Sequence, residues 1–287
     1  MMVSLKRLLL VLAIPTLLVD GCGKGRAESD LPTEVAATNS YLECVARDLL
    51  DEGAPVVQLS SPGMCPGHFD LSPSQAQQLQ TSRLLFRFEF QTALDARVSD
   101  LVEAGLRICP VRAEGGLCCP ATYAAACRQA ADALVKAGLL PETRVQPRLE
   151  RIARRMAELE QRCRRQIQDA GLAGRPVVCS VHQEAFCRWL GLEVVGTFKA
   201  ADVEALGTMA KVIENGRDGG ASLVIANRSE GRRLADGVGS WLAAEVVVFG
   251  NFPDSAIGQR TFDDLVDANV EALIAAAEPA ASTQPAE

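Results

Sequence analysis

The sequence predicts an α/β protein of two lobes, each built on a small and mostly parallel sheet, with one long rigid helix joining them. Short apolar runs alternate with helix-length amphipathic segments, which is the pattern of parallel sheets covered by helices. Residues 143–170 separate two such series and read as a helix with one apolar stripe, because apolar side chains recur three and four residues apart among arginines and glutamates. The stripe consists of Leu149, Ile152, Met156, Leu159, Cys163 and Ile167.

Residues 1–21 predict a secretory signal peptide. Lys6 and Arg7 precede an apolar run that is too short to span a bilayer. The residues just before Cys22 resemble a bacterial lipobox, so we expect Cys22 to become a lipidated N-terminus and residues 22–34 to form a polar tether. Simple secretion and an uncleaved anchor are the alternatives.

Composition and charge predict two modest apolar cores and argue against a nucleic-acid partner. Nearly half of the chain (48%) is apolar, which is enough for two modest cores. The whole chain carries a net charge of −7, and removing Lys6, Arg7 and Asp20 takes away a net +1 and leaves −8. Such an acidic chain is unsuited to bind nucleic acid. We expect a monomer.

Lipidation of Cys22 would leave an odd number of the ten cysteines for pairing. If Cys22 carries lipid, nine remain, so at least one thiol is free, metal-bound or paired with another molecule. Four of them lie on predicted helix faces among apolar residues, where packing or structural disulfides are the default: Cys44, Cys127, Cys163 and Cys187.

The N-terminal lobe, residues 35–142, is predicted to contain three strands and three helices. Ser72 and Pro73 predict a helix start, because serine caps helices and proline suits the first helical position. The predicted strands are 55–59, 83–88 and 106–110, and the predicted helices are 39–51, 73–80 and 121–137.

The connecting helix, 143–171, is followed by a C-terminal lobe at 172–277 and a disordered tail at 278–287. In this lobe Ser229 is predicted to cap a helix that runs to Ala243. The predicted strands are 175–180, 193–198, 223–227 and 245–249, and the other helices are one that ends near Gly191, 202–214 and 262–276.

The chain has only two histidines, one in each lobe, and each ends a C-x-x-H sequence. His68 and His182 both follow a predicted strand, and ligands of open α/β sheets bind at the carboxyl ends of strands. The pattern predicts a site shared between the lobes. Cys65 and Cys179 stand at a spacing that suits two ligands from one loop, with a disulfide as the equal alternative.

The residues around both histidines resemble the zinc- and manganese-binding substrate-binding lipoproteins of ABC importers. The run Gly67-His68-Phe69-Asp70-Leu71-Ser72-Pro73-Ser74-Gln75, followed by a helix and a strand, is similar to the first ligand segment of that family. His182-x-x-Ala185-Phe186, followed by Trp189-Leu190-Gly191-Leu192, is similar to its third ligand segment. The resemblance covers nearly the whole mature chain and implies the family's fold, with His68 and His182 as ligands.

Two other ligand positions of the family are occupied differently. Cys118-Cys119-Pro120 stands where the family has a histidine before a helix, and we expect at most one of these thiols to bind a metal. Asn251 stands nearest the place of the family's aspartate after the last strand, with Asp254 three residues on. Glu184 and Glu230 are interpreted as solvated or capping groups. Either can also support a metal ligand by a hydrogen bond without contacting the ion itself.

The candidate metal ligands are therefore His68, His182, Cys65, Cys179, Cys119 and Asn251. Two imidazoles with one or two thiolates suit zinc, which is the first choice, with copper or manganese as alternatives.

The expected function is an extracytoplasmic, lipid-anchored carrier that binds a transition metal ion between its lobes and delivers it to an ABC permease. It is not expected to be an enzyme, because no hydrolase or dinucleotide motif is present. Two alternatives remain open. One is a binding protein or adhesin that has lost metal binding and takes an organic ligand, and the other is a metal-dependent hydrolase with Glu184 as base.

Overall fold

The computed structural model describes residues 34–61, 71–199 and 206–277. The predicted signal peptide, Cys22, nearly all of the predicted tether, Cys65, His68 and the predicted tail all lie outside these ranges. The described chain contains two four-stranded sheets in which every paired neighbour is parallel, and this confirms the predicted α/β class. No helix within the described residues is long and apolar enough to cross a membrane.

The first sheet has the strand order β2-β1-β3-β4, and the second has the order β6-β5-β7-β8. The strands of the first are β1 (Val35–Ala37), β2 (Val56–Gln58), β3 (Leu84–Phe88) and β4 (Arg107–Val111). Those of the second are β5 (Pro176–Ser180), β6 (Glu193–Phe198), β7 (Leu223–Asn227) and β8 (Glu245–Phe249).

Ten α-helices are present in the described ranges, together with short 3₁₀ turns at Arg228–Glu230 and Ser255–Ile257. The helices of the first half are α1 (Ser40–Leu49), α2 (Pro73–Leu79), α3 (Ala93–Arg97), α4 (Ser99–Glu103) and α5 (Pro120–Lys136). The remaining helices are α6 (Glu142–Asp169), α7 (Glu184–Trp189), α8 (Leu206–Asp218), α9 (Arg233–Leu242) and α10 (Phe262–Ala277).

Three local predictions were wrong or incomplete. Strand β1 was missed because its three residues are too few to show a pattern, yet Val35 pairs with strands on both sides. Helices α3 and α4 were missed because each has only five residues. Ser229 does not cap a helix, since it lies in a 3₁₀ turn that Gly231 ends with a positive φ of 74°, and α9 begins only at Arg233.

The long helix α6 forms as predicted, within a residue or two at each end. Ile152, Met156, Leu159, Cys163 and Ile167 are buried, so the apolar stripe faces the protein core. Because α6 packs against α1 and α5 of the first half and α10 of the second, one continuous apolar core runs through both halves.

Ion pairs on α6 hold helices of both halves. The guanidinium of Arg155 contacts Asp48 of α1 and lies 3.1 Å from a carboxylate oxygen of Asp263 of α10. About two helical turns further along α6, Arg162 lies 2.8 Å from Asp267 of α10. Burial is the first cause that raises the pKa of the Asp263 carboxyl, because a charged group is costly away from water, and Arg155 opposes it.

The topology places several loops at one edge of each sheet. In a parallel sheet the carboxyl ends of all strands lie on the same side. The loop after β4 leads to Cys118 and Cys119, the turn after β5 carries His182, the turn after β7 carries Glu230, and the loop after β8 carries Asn251. These four connections provide the side chains of the candidate site.

Candidate metal centre

A cleft of about 540 Å³ lies between the two halves. The second half contributes His182, which follows β5, and Asn251, which follows β8. The first half contributes the loops after β3 and β4, so the cleft lies where strand ends of both sheets meet. The residues that line it are Glu89, Phe90, Val111, Arg112, Ala113, Glu114, Gly116, Leu117, Val181, His182, Ala185 and Asn251.

His182 forms a small hydrogen-bonded cluster with Glu230 and Ser180. Its Nε2 lies 3.5 Å from Oε1 of Glu230, and its side chain is 60% exposed. The other carboxylate oxygen of Glu230 accepts a hydrogen bond of 2.5 Å from the Ser180 hydroxyl. That hydroxyl also accepts a hydrogen bond of 3.2 Å from the His182 backbone N–H. Glu230 therefore lies beside the His182 ring, whereas Glu184 forms an ion pair of 2.9 Å with Arg188 on the same helix.

Asn251 is buried in a network of neutral groups. Its Oδ1 accepts hydrogen bonds from Nε2 of Gln183 at 3.1 Å and from the Cys118 thiol at 3.5 Å. Its Nδ2 donates to Oδ1 of Asn227 at 3.4 Å. The thiol of Cys118 also approaches the Gly250 carbonyl oxygen at 3.1 Å. The amide of Asn251 is thus bonded to protein groups on both of its polar atoms.

The vicinal thiols after β4 are held in their neutral form by burial. Burial is the first cause that raises the pKa of Cys118 well above its ordinary value, and it raises the pKa of Cys119 to about 11. A thiolate is the form that binds a metal. An ion bound by Cys119 must therefore displace a proton that the surroundings favour.

Cys179 is the penultimate residue of β5, and its side chain lies inside the protein next to Cys187 of α7. The hydrogen bond with Cys179 is the first cause that raises the pKa of Cys187, followed by burial. All eight cysteines in the described ranges are free: Cys44, Cys109, Cys118, Cys119, Cys127, Cys163, Cys179 and Cys187.

The predicted ligands are only partly brought together in the described part of the chain. His182 and Asn251 line the same cleft, and Cys118 rather than Cys119 contacts Asn251. Within the described residues, which omit Cys65 and His68, no group of three or more histidine, cysteine, aspartate or glutamate side chains is placed to hold an ion.

Residues that sequence reasoning missed lie next to those that it named. Gln183 and Asn227 are buried in the amide network, although the sequence shows them only as polar residues near strand ends. Gly116 allows the loop before α5 to approach α7, because a Cβ there would lie 2.8 Å from Cβ of Ala185. Its φ of +95° also favours glycine.

No family model matches the sequence, and no curated protein matches it. Solved structures do match over most of the chain. A zinc-bound ZnuA deletion mutant has a TM-score of 0.70 at 11% identity, covering 86% of this chain and 99% of that one. The fold is that of the periplasmic metal-binding proteins.

Two further structures share this fold. The Mn-bound periplasmic metal-binding protein from Candidatus Liberibacter asiaticus has a TM-score of 0.68 at 12% identity, covering 85% of this chain and 99% of its own. The periplasmic zinc-binding protein TroA from Treponema pallidum has a TM-score of 0.68 at 13% identity, covering 85% and 99%. At sequence identities of 11–13% the similarity to these structures is one of fold, and it covers 85–86% of this chain.

Proposed function

We propose that this protein is an extracytoplasmic solute-binding protein that captures a transition metal ion, zinc in the first place, and delivers it to an ABC permease. The observation that carries the proposal is the cleft between the two halves, with His182 at the carboxyl edge of the second sheet. A metal is the substrate of this carrier, and His68 is proposed to complete the site from the first half. Cys22 is proposed to anchor the protein to a membrane through lipid.

The proposed domain division follows from the same arrangement. Residues 35–142 form an N-terminal lobe, residues 143–171 the connecting helix and residues 172–277 a C-terminal lobe. Solved proteins with this fold are described as zinc-bound or Mn-bound, which supports a metal ion as the substrate class. The protein acts as a monomer in this proposal.

A carrier suits the described residues better than a hydrolase does. The hydrolase alternative needs Glu184 as a base beside a metal-bound water. Glu184 instead pairs with Arg188 at 2.9 Å, and it is not among the residues that line the cleft. The ion pairs of α6 with α1 and α10 also support a carrier whose lobes move little.

One observation favours the second candidate, a protein that binds an organic ligand. The cleft volume of about 540 Å³ lies within the range of small-molecule pockets and exceeds what a single ion fills. Phe90, at 63% exposed, offers an aromatic surface at its rim. Arg112 lines the same cleft and pairs with Glu89 at 2.9 Å.

The deciding experiment is metal content by inductively coupled plasma mass spectrometry on protein that starts at Gly23 and carries no His-tag. We expect about one equivalent of zinc in the native protein and its loss in the His68→Ala, His182→Ala double variant. Circular dichroism checks that both proteins are folded. No metal in native protein, even after reduction and incubation with zinc, would reject the carrier proposal and favour the organic ligand.

A further inference from the structure

We infer that Glu230 is the carboxylate ligand of the metal and that it binds the ion together with His182. This inference rests on the proposed function and names a residue of that same site. It also departs from the expectation that Asn251, after β8, takes the place of an acidic ligand.

The separation of the two side chains is the first argument. Nε2 of His182 and Oε1 of Glu230 are 3.5 Å apart, which is longer than an ordinary N–H···O hydrogen bond of about 2.7–3.2 Å. Zinc binds histidine nitrogen and carboxylate oxygen at about 2.0–2.2 Å with tetrahedral angles, so two such ligands lie about 3.3–3.5 Å apart. The pair therefore already has the spacing of two ligands of one ion.

The second argument is that the carboxylate is fixed in place. The buried hydroxyl of Ser180 donates to Oε2 of Glu230 at 2.5 Å, which leaves Oε1 directed at His182. The same hydroxyl accepts a hydrogen bond from the backbone N–H of His182, so one residue orients both proposed ligands. Outer hydrogen bonds of this kind are a general feature of metal sites because they hold the ligands in their binding geometry.

The third argument is that Asn251 is already engaged. Its Oδ1 accepts from Gln183 and from Cys118, and an amide oxygen is a weaker zinc ligand than a carboxylate. Glu230 follows β7, which neighbours β8 in the sheet, so both residues stand at the same sheet edge. In this chain the acidic ligand comes from the connection after β7 rather than the one after β8.

A positioning role is the competing interpretation of Glu230. In that case the carboxylate accepts the ring N–H of His182 while the other ring nitrogen binds the ion. Loss of such an outer carboxylate costs about 10- to 100-fold in metal affinity. The experiment must therefore report whether residue 230 itself contacts the metal.

The experiment uses the protein as processed on export, stripped of metal and reduced, with Zn²⁺ affinity measured by competition with a chromophoric chelator. Co²⁺ serves as the spectroscopic probe of the same site. Glu230→Gln should weaken zinc binding by more than about 100-fold. Glu230→Cys should add thiolate-to-Co²⁺ charge-transfer absorption in the near ultraviolet beyond that of the native protein, because a new thiolate then contacts the ion.

The matched controls are Glu184→Gln and Glu184→Cys. Glu184 is two residues from His182 but pairs with Arg188, so neither change should alter affinity or the spectrum. Thermal unfolding of each variant verifies the fold, and Glu230→Asp, which keeps the carboxylate, should retain more affinity than Glu230→Gln.

The outcomes distinguish failure of Glu230 as a ligand from failure of the proposed carrier function. If native protein binds zinc, His182→Ala abolishes binding and Glu230→Cys adds no absorption, Glu230 is not a ligand while the carrier function stands. If native protein takes up neither Zn²⁺ nor Co²⁺, the proposed function fails and this inference fails with it.

Discussion

Tyr123 of α5 stacks on Phe262 of α10, with ring centroids 4.1 Å apart and ring planes inclined by 15°. The contact joins the two halves, because α5 covers the first sheet and α10 follows the last strand of the second. Tyr41 of α1 meets both rings edge-on. Together with Arg155, this aromatic cluster makes α10 a structural part of both halves.

Phe262→Ala should lower the free energy of unfolding by about 3–5 kcal/mol, because it removes a fully buried ring and leaves a cavity. Urea unfolding followed by circular dichroism measures the loss. Trp241→Ala is the control, since Trp241 is 69% exposed and its removal should cost less than about 0.5 kcal/mol. Equal effects of the two substitutions would contradict the cluster's role.

Asp263 should make stability depend on pH in a defined direction. Burial raises its pKa above the ordinary value of 3.8, so the folded protein keeps this proton at pH values where the unfolded chain has released it. The contribution of Asp263 to the free energy of unfolding is complete below pH 3.8, and it is lost as the pH rises through the raised pKa of the folded protein. Urea unfolding at a series of pH values, with Asp263→Asn as reference, should show native stability falling relative to the variant as pH rises. A rise of native stability relative to Asp263→Asn with increasing pH would contradict a raised pKa of Asp263.

Gly116→Ala should disturb the contact that helix α7 makes with the loop preceding α5. Both the positive φ of +95° and a Cβ only 2.8 Å from Ala185 oppose the change, and we expect a loss of about 1–3 kcal/mol. Gly258→Ala is the matched control, because Gly258 has a similar φ of +89° but open space around it. Chemical unfolding of both variants separates the steric cost from the cost of backbone strain. Identical losses in the free energy of unfolding would argue against a close approach at Gly116.

Cys119 should resist alkylation in the folded, metal-free protein. With burial raising its pKa to about 11, roughly one thiol in a thousand is ionised at pH 8, and the thiolate is the reactive form. Iodoacetamide labelling followed by peptide mass spectrometry should be far slower than in urea-unfolded protein, which serves as the reference. Rapid labelling of the folded protein would mean that Cys119 is held as a thiolate and is available to a metal.

Long and strongly patterned segments were predictable from the sequence. Helix α6 and the four strands of the second sheet appear where apolar periodicity placed them, because each buries enough side chains to show a pattern. Strand β1 did not, since Val35, Ala36 and Ala37 are as compatible with a helix or a loop as with a central strand. Its place in the sheet comes from pairing with β2 and β3, which local sequence does not encode.

The candidate site was predictable to the level of loops but not of side-chain directions. His182 lies in the cleft, yet its neighbour Gln183 is the side chain that reaches Asn251. Which of two adjacent residues in a turn faces inward depends on backbone angles that the sequence does not specify. The sequence predicts Glu230 as a solvated or capping group that can support a ligand. It is 48 residues from His182 in sequence, and only the neighbouring strands β5 and β7 bring the two side chains to 3.5 Å.

The packing of Phe262 against Tyr41 and Tyr123 has a consequence for how the chain matures. The first half cannot finish its own aromatic core until the last helix has been synthesised, since one of the three rings comes from α10. This three-ring cluster is therefore complete only when nearly the entire polypeptide, through α10, is present.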